Sequence, residues 1–513
     1  MEFGRFRASI VFVEAHEGGH ITALGSTAAP AVTTVQNYIA GGWRAPESAD
    51  TLPTRNPANG ALLAQVPLSG AADVDAAVAA AGEALPGWRA TPPQARARAL
   101  FALRDTLDRH REELGRIVTT DMGKTLSDAI GEVGRGIESV EVACGAPSLL
   151  KGENLEQVAG GVDVEMVRQP VGVVAAITPF NFPAMIPLWF LPFAVACGNT
   201  FVLKPSEQDP LASVRIFELI DEAGVFPPGV VNLVHGAHDA VNALLDHPGV
   251  NAVSFVGSAG TADHVYRRAA ATGKRVQALG GVTNSMIVMP DADPRLMAQG
   301  IVSSAFGAAG QRCLAGSIAV LVGSPEEQDT SLERIVSAAS ELRTGDGADP
   351  SVDVCPVVSP AARERIEADV QGAADDGGRV VLDGRRAGGS AGAELGPTIL
   401  DDLRPGMRVI EEEVFGPVLS IVRVPDLDTA IQQVNASRFG NAAVIFTSSG
   451  GAAREFRFSV EAGMLGVNVG VAAPVAWFPF SGWKASFNGD LHANGQDAIE
   501  FYTHKKVVTA RWS

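Results

Sequence analysis

The chain has 513 residues, 46% of them apolar and 19% charged, with a formal net charge of −18. That length allows two or three domains built on large cores, and the apolar share excludes wholesale disorder. The acidic balance excludes the basic face that would release phosphate counterions, so no nucleic-acid partner is expected.

Near the start, the apolar run Ala8-Ser9-Ile10-Val11-Phe12-Val13 is followed at once by Glu14, His16 and Glu17, with no cleavage site of the secretory kind. Residues 1–36 read as a disordered leader, and folded sequence as beginning near Tyr38. From Asp73, the residues Val74, Ala77, Val78 and Ala81 recur at the spacing of one helix face. Thr91-Pro92-Pro93 predicts an N-cap and first turn for a helix that buries Leu100, Leu103 and Leu107. After Pro170 the pattern changes. Continuously apolar runs at Gly172–Thr178, Thr200–Leu203, Val230–Val234 and Val250–Val256 suit strands covered on both faces. Helix-length segments at Pro183–Cys197, Pro210–Ala223 and Asp239–Asp246 separate them, which predicts βαβ crossovers and a doubly wound, mostly parallel sheet. A second α/β region follows. The closing stretch Ala498–Trp512 alternates and is rich in β-branched residues, so a strand that pairs across a subunit interface is expected. Apolar stretches such as Val171–Ile177 fall far short of the roughly 20 residues that a spanning helix needs, so no membrane association is expected.

Four cysteines (Cys144, Cys197, Cys313, Cys355) form no CxxC pair, which fits a reducing, cytoplasmic setting. Cys313, in Gly310-Gln311-Arg312-Cys313, stands beside a cation that would favour its thiolate, the form that attacks carbonyls. Cys197 and Cys144 lie in apolar or helix-like stretches, and Cys355 has no adjacent cation; all three read as packing residues. Asn181 follows a strand end and could supply a side-chain N–H to an alkoxide; a turn asparagine can equally serve as a local cap. There is no GxGxxG fingerprint. Instead, Gly257-Ser258 ends a strand and opens a helix from about Ala259 to Ala271, where a phosphate could meet free N–H groups, as also occurs in any ordinary βα turn. Lys204-Pro205-Ser206-Glu207 sits at another strand end, where ligands bind in open α/β sheets. There Glu207 could accept from ribose hydroxyls, Lys204 could donate to them, and Glu207 would repel a 2′-phosphate, favouring NAD over NADP. A solvated surface pair is the other reading of Lys204 and Glu207.

The motifs TPFNFP, FVLKPSE, VSFVGS, GQRC, EEVFGPV and FPFSGWK occur in this order, and with them the chain resembles the aldehyde dehydrogenase superfamily from Tyr38 to Trp512. The resemblance implies Cys313 as nucleophile and Asn181 as oxyanion donor. It implies that Lys204, Glu207 and Ser258, with Thr178, Phe180 and Gly257, hold NAD, and that Glu413 and Phe415 position the nicotinamide ribose. It further implies a Rossmann-like NAD domain (37–150 and 172–281), a second α/β catalytic domain (282–485) and a small β oligomerisation element (151–171 and 486–513), assembled as a homotetramer without a metal.

Within the superfamily, Ile186–Phe190, Gln277–Gly281 and Ser486–His492 resemble the CoA-acylating methylmalonate-semialdehyde dehydrogenases. Hydrolytic members carry a base glutamate before Leu-Gly-Gly, where this chain has Ala278; without it, water attack should slow by about 10²–10⁴, leaving CoA as co-substrate. Arg312 and Arg135 match the arginines that grip a carboxylated aldehyde, although by its own pattern Arg135 is only a helix-surface residue. The chain departs from the branch at Val282, Thr283 and Ser285, so the resemblance implies a substrate related to methylmalonate semialdehyde. The expected reaction is NAD-dependent oxidation of a malonate- or methylmalonate-semialdehyde-like compound, with decarboxylation and transfer to CoA giving acetyl-CoA or propionyl-CoA. A hydrolytic dehydrogenase, or a non-catalytic binding protein of the same fold, are the alternatives.

Overall fold

The four apolar runs after Pro170 become neighbouring parallel strands, the arrangement that buries both faces of a strand. The computed structural model describes residues 33–388 and 392–512. In spatial order the parallel strands are Val231–Leu233, Thr200–Lys204, Val173–Ile177, Ala252–Gly257 and Arg275–Gly280. Asn37–Ile39 and Gly42–Arg44 extend one edge antiparallel, and Phe487–Asn488 extends the other. Alternation divides each strand between two cores. Val174 and Ala176 meet helices Leu126–Cys144 and Met185–Ala196, while Val173, Ala175 and Ile177 meet helices Ala71–Ala90, His238–Asp246 and Ala259–Ala271. Strand order reverses between Val173–Ile177 and Ala252–Gly257, so the crossovers diverge and leave a crevice at the carboxyl ends.

Met185–Ala196 is apolar all round and every residue in it is buried. Leu126–Cys144 packs against it through Gly136, where a Cβ would stand 2.8 Å from Leu188 Cδ1. That close approach fixes the helix carrying Arg135. Leu100, Leu103 and Leu107 are fully buried in the same core, each contributing about 1.5–3 kcal/mol.

The second sheet runs Arg379–Leu382, Thr398–Asp401, Val418–Val424, Gly316–Val322, Asn284–Val288, Ala442–Phe446 and Met464–Val467, parallel except for its first strand. A third sheet pairs Thr503–Arg511 with Val162–Pro170, and that strand with Glu153–Ala159, all antiparallel.

Three local expectations change. Thr91 does not cap the helix that follows it: its hydroxyl donates to the Gly87 carbonyl and closes the preceding helix, because Pro92 already sets the first turn. The closing stretch is a strand only from Thr503; Gly495–Phe501 is a helix that buries Ala498, Ile499 and Phe501. Of the expected leader, residues 1–32 lie outside the described residues, whereas Val35 is buried and its N–H donates to the Gln65 carbonyl.

Candidate active site

Cys313 follows helix Pro294–Phe306 and a tight turn in which Ala308 and Ala309 hold φ of 50° and 52°. Left-handed alanines cost on the order of 1 kcal/mol each, a strain that recurs where a backbone must aim a reactive group. Gly310 closes the turn at φ 70°, where a Cβ would lie 2.1 Å from the Gly416 carbonyl oxygen. Two asparagines then fix the thiol's own peptide. Asn284 Nδ2 donates to the Cys313 carbonyl at 3.0 Å and Asn441 Nδ2 to the same oxygen at 2.8 Å. Sequence reasoning missed both roles, because a lone buried asparagine carries no local signal.

Two cavities meet at Cys313. The larger, about 600 Å³, lies at the carboxyl ends of the first sheet. Thr178, Phe180, Asn181, Lys204, Glu207, Gly257, Ser258, Glu413 and Phe415 all line it, so nine expected residues converge there. Lys204 is buried, and its Nζ donates to Glu207 and to the Gly236 carbonyl, both at 3.0 Å, so it is no solvated surface residue. Ser258 caps helix Ala259–Ala271 and turns that helix's N-terminus toward the cavity. Among the described residues the buried Thr178 hydroxyl has no partner. Phe180 and Phe415 stack edge to face at 5.7 Å. Burial pushes the Glu413 carboxyl up to about 7, against the pull of the Val282 backbone and Arg365.

The smaller cavity, about 390 Å³, holds Arg135, Arg312, Lys124, Glu132 and Glu138 with apolar walls from Phe182, Trp189, Leu314 and Phe480. Arg135 is therefore more than a helix-surface residue. It pairs with Glu138 at 2.7 Å and donates to the Pro474 carbonyl. Arg312 donates to the carbonyls of Ser303 and Ser304, and its buried Nε has no partner among the described residues.

Asn181 stands far from Cys313 in sequence, yet its Nδ2 donates to the Gln311 carbonyl at 3.0 Å, two residues from the thiol. One amide N–H remains for another acceptor. Together a thiol, a free amide N–H and flanking cations suit attack on a carbonyl carbon.

Three readings are revised by the structure. Arg312 does pull the Cys313 thiol down, but burial and Glu413 outweigh it and push the thiol up to about 12, and the guanidinium is turned onto backbone carbonyls. Burial drives all four thiols up to about 12, so acidity does not single out Cys313; being the one cysteine not fully buried does. Ala278 lines neither cavity: strand alternation packs its methyl with Phe255 and Val276, while the next residue, Leu279, lines the larger cavity with Cys313. No carboxylate stands at either position. Thr283 and Ser285 line neither cavity; the Thr283 hydroxyl pairs with Ser437 at 2.8 Å behind the wall.

The profile of the aldehyde dehydrogenase family matches residues 43–508. The chain is 52% identical over 483 residues to malonate-semialdehyde dehydrogenase 1 of Geobacillus thermodenitrificans, covering 94% of this chain and 99% of the relative. It is 50% identical to malonate-semialdehyde dehydrogenase of Halalkalibacterium halodurans, covering 93% and 98%. Among solved structures, methylmalonate-semialdehyde dehydrogenase from Oceanimonas doudoroffii superposes with a TM-score of 0.92 at 44% identity, covering 94% of this chain and 99% of that one. A Sinorhizobium meliloti structure complexed with NAD gives a TM-score of 0.92 at 41% identity, covering 94% and 99%.

Proposed function

The chain belongs to the aldehyde dehydrogenase family, and from that premise we propose that it oxidises malonate or methylmalonate semialdehyde with NAD and passes the acyl group, after decarboxylation, to CoA. One observation carries this reading. Cys313 lines both cavities, one bounded by the dinucleotide motifs and the other by two arginines.

The larger cavity suits NAD: it is the right size for a cofactor, Glu207 and Lys204 line it and would meet the ribose hydroxyls, and the Thr178 hydroxyl and the capped helix N-terminus face it. When bound, NAD supplies the hydride acceptor. Glu413 and Phe415 would hold its nicotinamide ribose. Cys313 adds to the aldehyde carbon, the free Asn181 N–H and the Cys313 backbone N–H stabilise the alkoxide, and oxidation leaves an acyl thioester on sulfur. The substrate carboxylate lies against Arg135 and the unsatisfied Arg312 Nε. As CO2 leaves, the thioester carbonyl accepts the electron pair of the broken C–C bond as an enolate, and a proton from water at the α-carbon completes the acetyl or propionyl thioester. The CoA thiol then takes the acyl group and frees the Cys313 thiol, while water lacks the base carboxylate that Ala278 replaces.

Incubation with both semialdehydes, NAD and CoA, followed by mass spectrometry, is expected to yield acetyl-CoA and propionyl-CoA. Free acid formed equally well without CoA would overturn the acyl transfer. A hydrolytic reading has one observation in its favour, since Glu413, at about 7, is a base-capable carboxylate in the cavity that holds Cys313. Arg135→Leu is expected to raise KM for the semialdehyde acids about 10-fold or more, the loss of one charge-assisted contact, while leaving KM for propanal within about twofold. Equal effects on both substrates would remove Arg135 from carboxylate binding.

The terminal sheet supports a homo-oligomer, a tetramer in the fullest form. Thr503–Arg511 uses one edge within the chain and leaves the other open, with Val507, Val508 and Trp512 exposed. Light scattering of the purified protein reads this directly, a monomer being the contrary result. Four free cysteines accord with a reducing, cytoplasmic setting, and among the described residues no helix is long and apolar enough to cross a membrane.

A further inference from the structure

Within the smaller cavity, the Lys124 side chain is 1% exposed and its Nζ donates to Glu132 Oε2 at 2.5 Å. The ammonium also lies over the Phe182 ring, 3.6 Å from its centroid. Glu132 is fully engaged: its other oxygen accepts the Ala184 and Met185 N–H groups at 2.9 and 3.2 Å, at the start of helix Met185–Ala196. Lys124 is not. An ammonium has three donors, and among the described residues this one has a single hydrogen-bond acceptor while it is buried in the wall that Cys313 shares. A buried ion pair is costly to desolvate, and a surplus of donors on its cationic end is tolerated where an anion forms during function.

We infer that Lys124, held by Glu132, is the cation that stabilises the Cys313 thiolate, so that it and not Arg312 prepares the sulfur for attack. The inference rests on Cys313 being the nucleophile and names a positioning residue for it. Arg312 directs its Nη2 at the Ser303 and Ser304 carbonyls, which leaves less of its field for the sulfur. The charged groups acting on the thiol point the same way. Burial dominates and Glu413 adds to it; against both, Lys124 pulls the thiol down ahead of Arg312. Of the carboxylates that line the cavity with it, Asp128, Glu132 and Glu138, Lys124 pairs with Glu132.

Alkylation reads this without turnover. Well below a thiol's pKa the rate with iodoacetamide follows the thiolate fraction, so one unit of pKa appears as about tenfold in rate. Peptide-resolved mass spectrometry isolates Cys313 from the three buried cysteines. At pH 8.5, Lys124→Gln, which still donates to Glu132 but carries no charge, is expected to slow Cys313 alkylation about 10-fold. Lys124→Arg should recover most of the loss, and Arg312→Gln should slow it less than Lys124→Gln does. NAD titration and a thermal melt establish that each variant is folded; if Lys124→Gln is not, Lys124→Met is measured in its place. A folded neutral variant within twofold of the parent, or an arginine variant as slow as the neutral one, overturns the inference. NADH formation by Cys313→Ala would instead overturn the nucleophile reading, and the alkylation ratios distinguish that failure from this one.

Discussion

Cys313→Ala is expected to abolish NADH formation with malonate and methylmalonate semialdehydes, lowering kcat by about four orders of magnitude or more, as removal of a covalent nucleophile does. The size of the effect follows from the site. Among the described residues Cys313 is the one cysteine not fully buried, and it lines the cofactor-sized cavity and the arginine-lined cavity at once. No other thiol can substitute, since Cys144, Cys197 and Cys355 are buried. Stopped-flow absorbance at 340 nm checks this, and intact-mass spectra of the parent protein quenched with substrate should carry an acyl adduct on this residue alone. Retained turnover in the alanine variant would end the covalent scheme. The same residue sets a pH dependence. With the thiol pushed up to about 12 by burial, its reactive fraction in the free protein rises about tenfold per pH unit through the neutral range, so alkylation should steepen steadily from pH 7 to 9. A plateau below pH 8 would show a thiolate already formed.

Asn181→Ala is expected to lower kcat by about 10²–10³, the loss typical of one oxyanion donor, with KM for the aldehyde changing far less. The asparagine is buried and one of its N–H groups is committed to the Gln311 carbonyl. The other is a donor held without freedom to reorganise, and such a donor is worth most when charge develops on the substrate oxygen. Because the variant also frees the Gln311 carbonyl, a melt must accompany the kinetics. A fall in kcat matched by an equal rise in KM would indicate lost binding geometry in place of lost alkoxide stabilisation.

Much of this architecture was legible before folding was considered. The apolar runs at 172–178, 200–203, 230–234 and 250–256 suited strands covered on both faces, and the intervening helices follow the predicted bounds within a few residues. The six motifs likewise named nine residues that meet in one cavity. What local pattern could not supply is direction. In a strand, successive side chains face opposite ways, which is why Ala278 is buried behind the wall that Leu279 lines. A guanidinium next to a thiol in sequence need not point at it, and Arg312 points at Ser303 and Ser304. The sequence by itself determined the strand and helix content, the order of the crossovers and the residue types that carry the chemistry, because period and propensity are local properties. The tertiary structure alone decided which of those residues share a wall. Asn181 and Asn441 lie 132 and 128 residues from Cys313 in the chain, and only sheet pairing and helix packing bring them beside it.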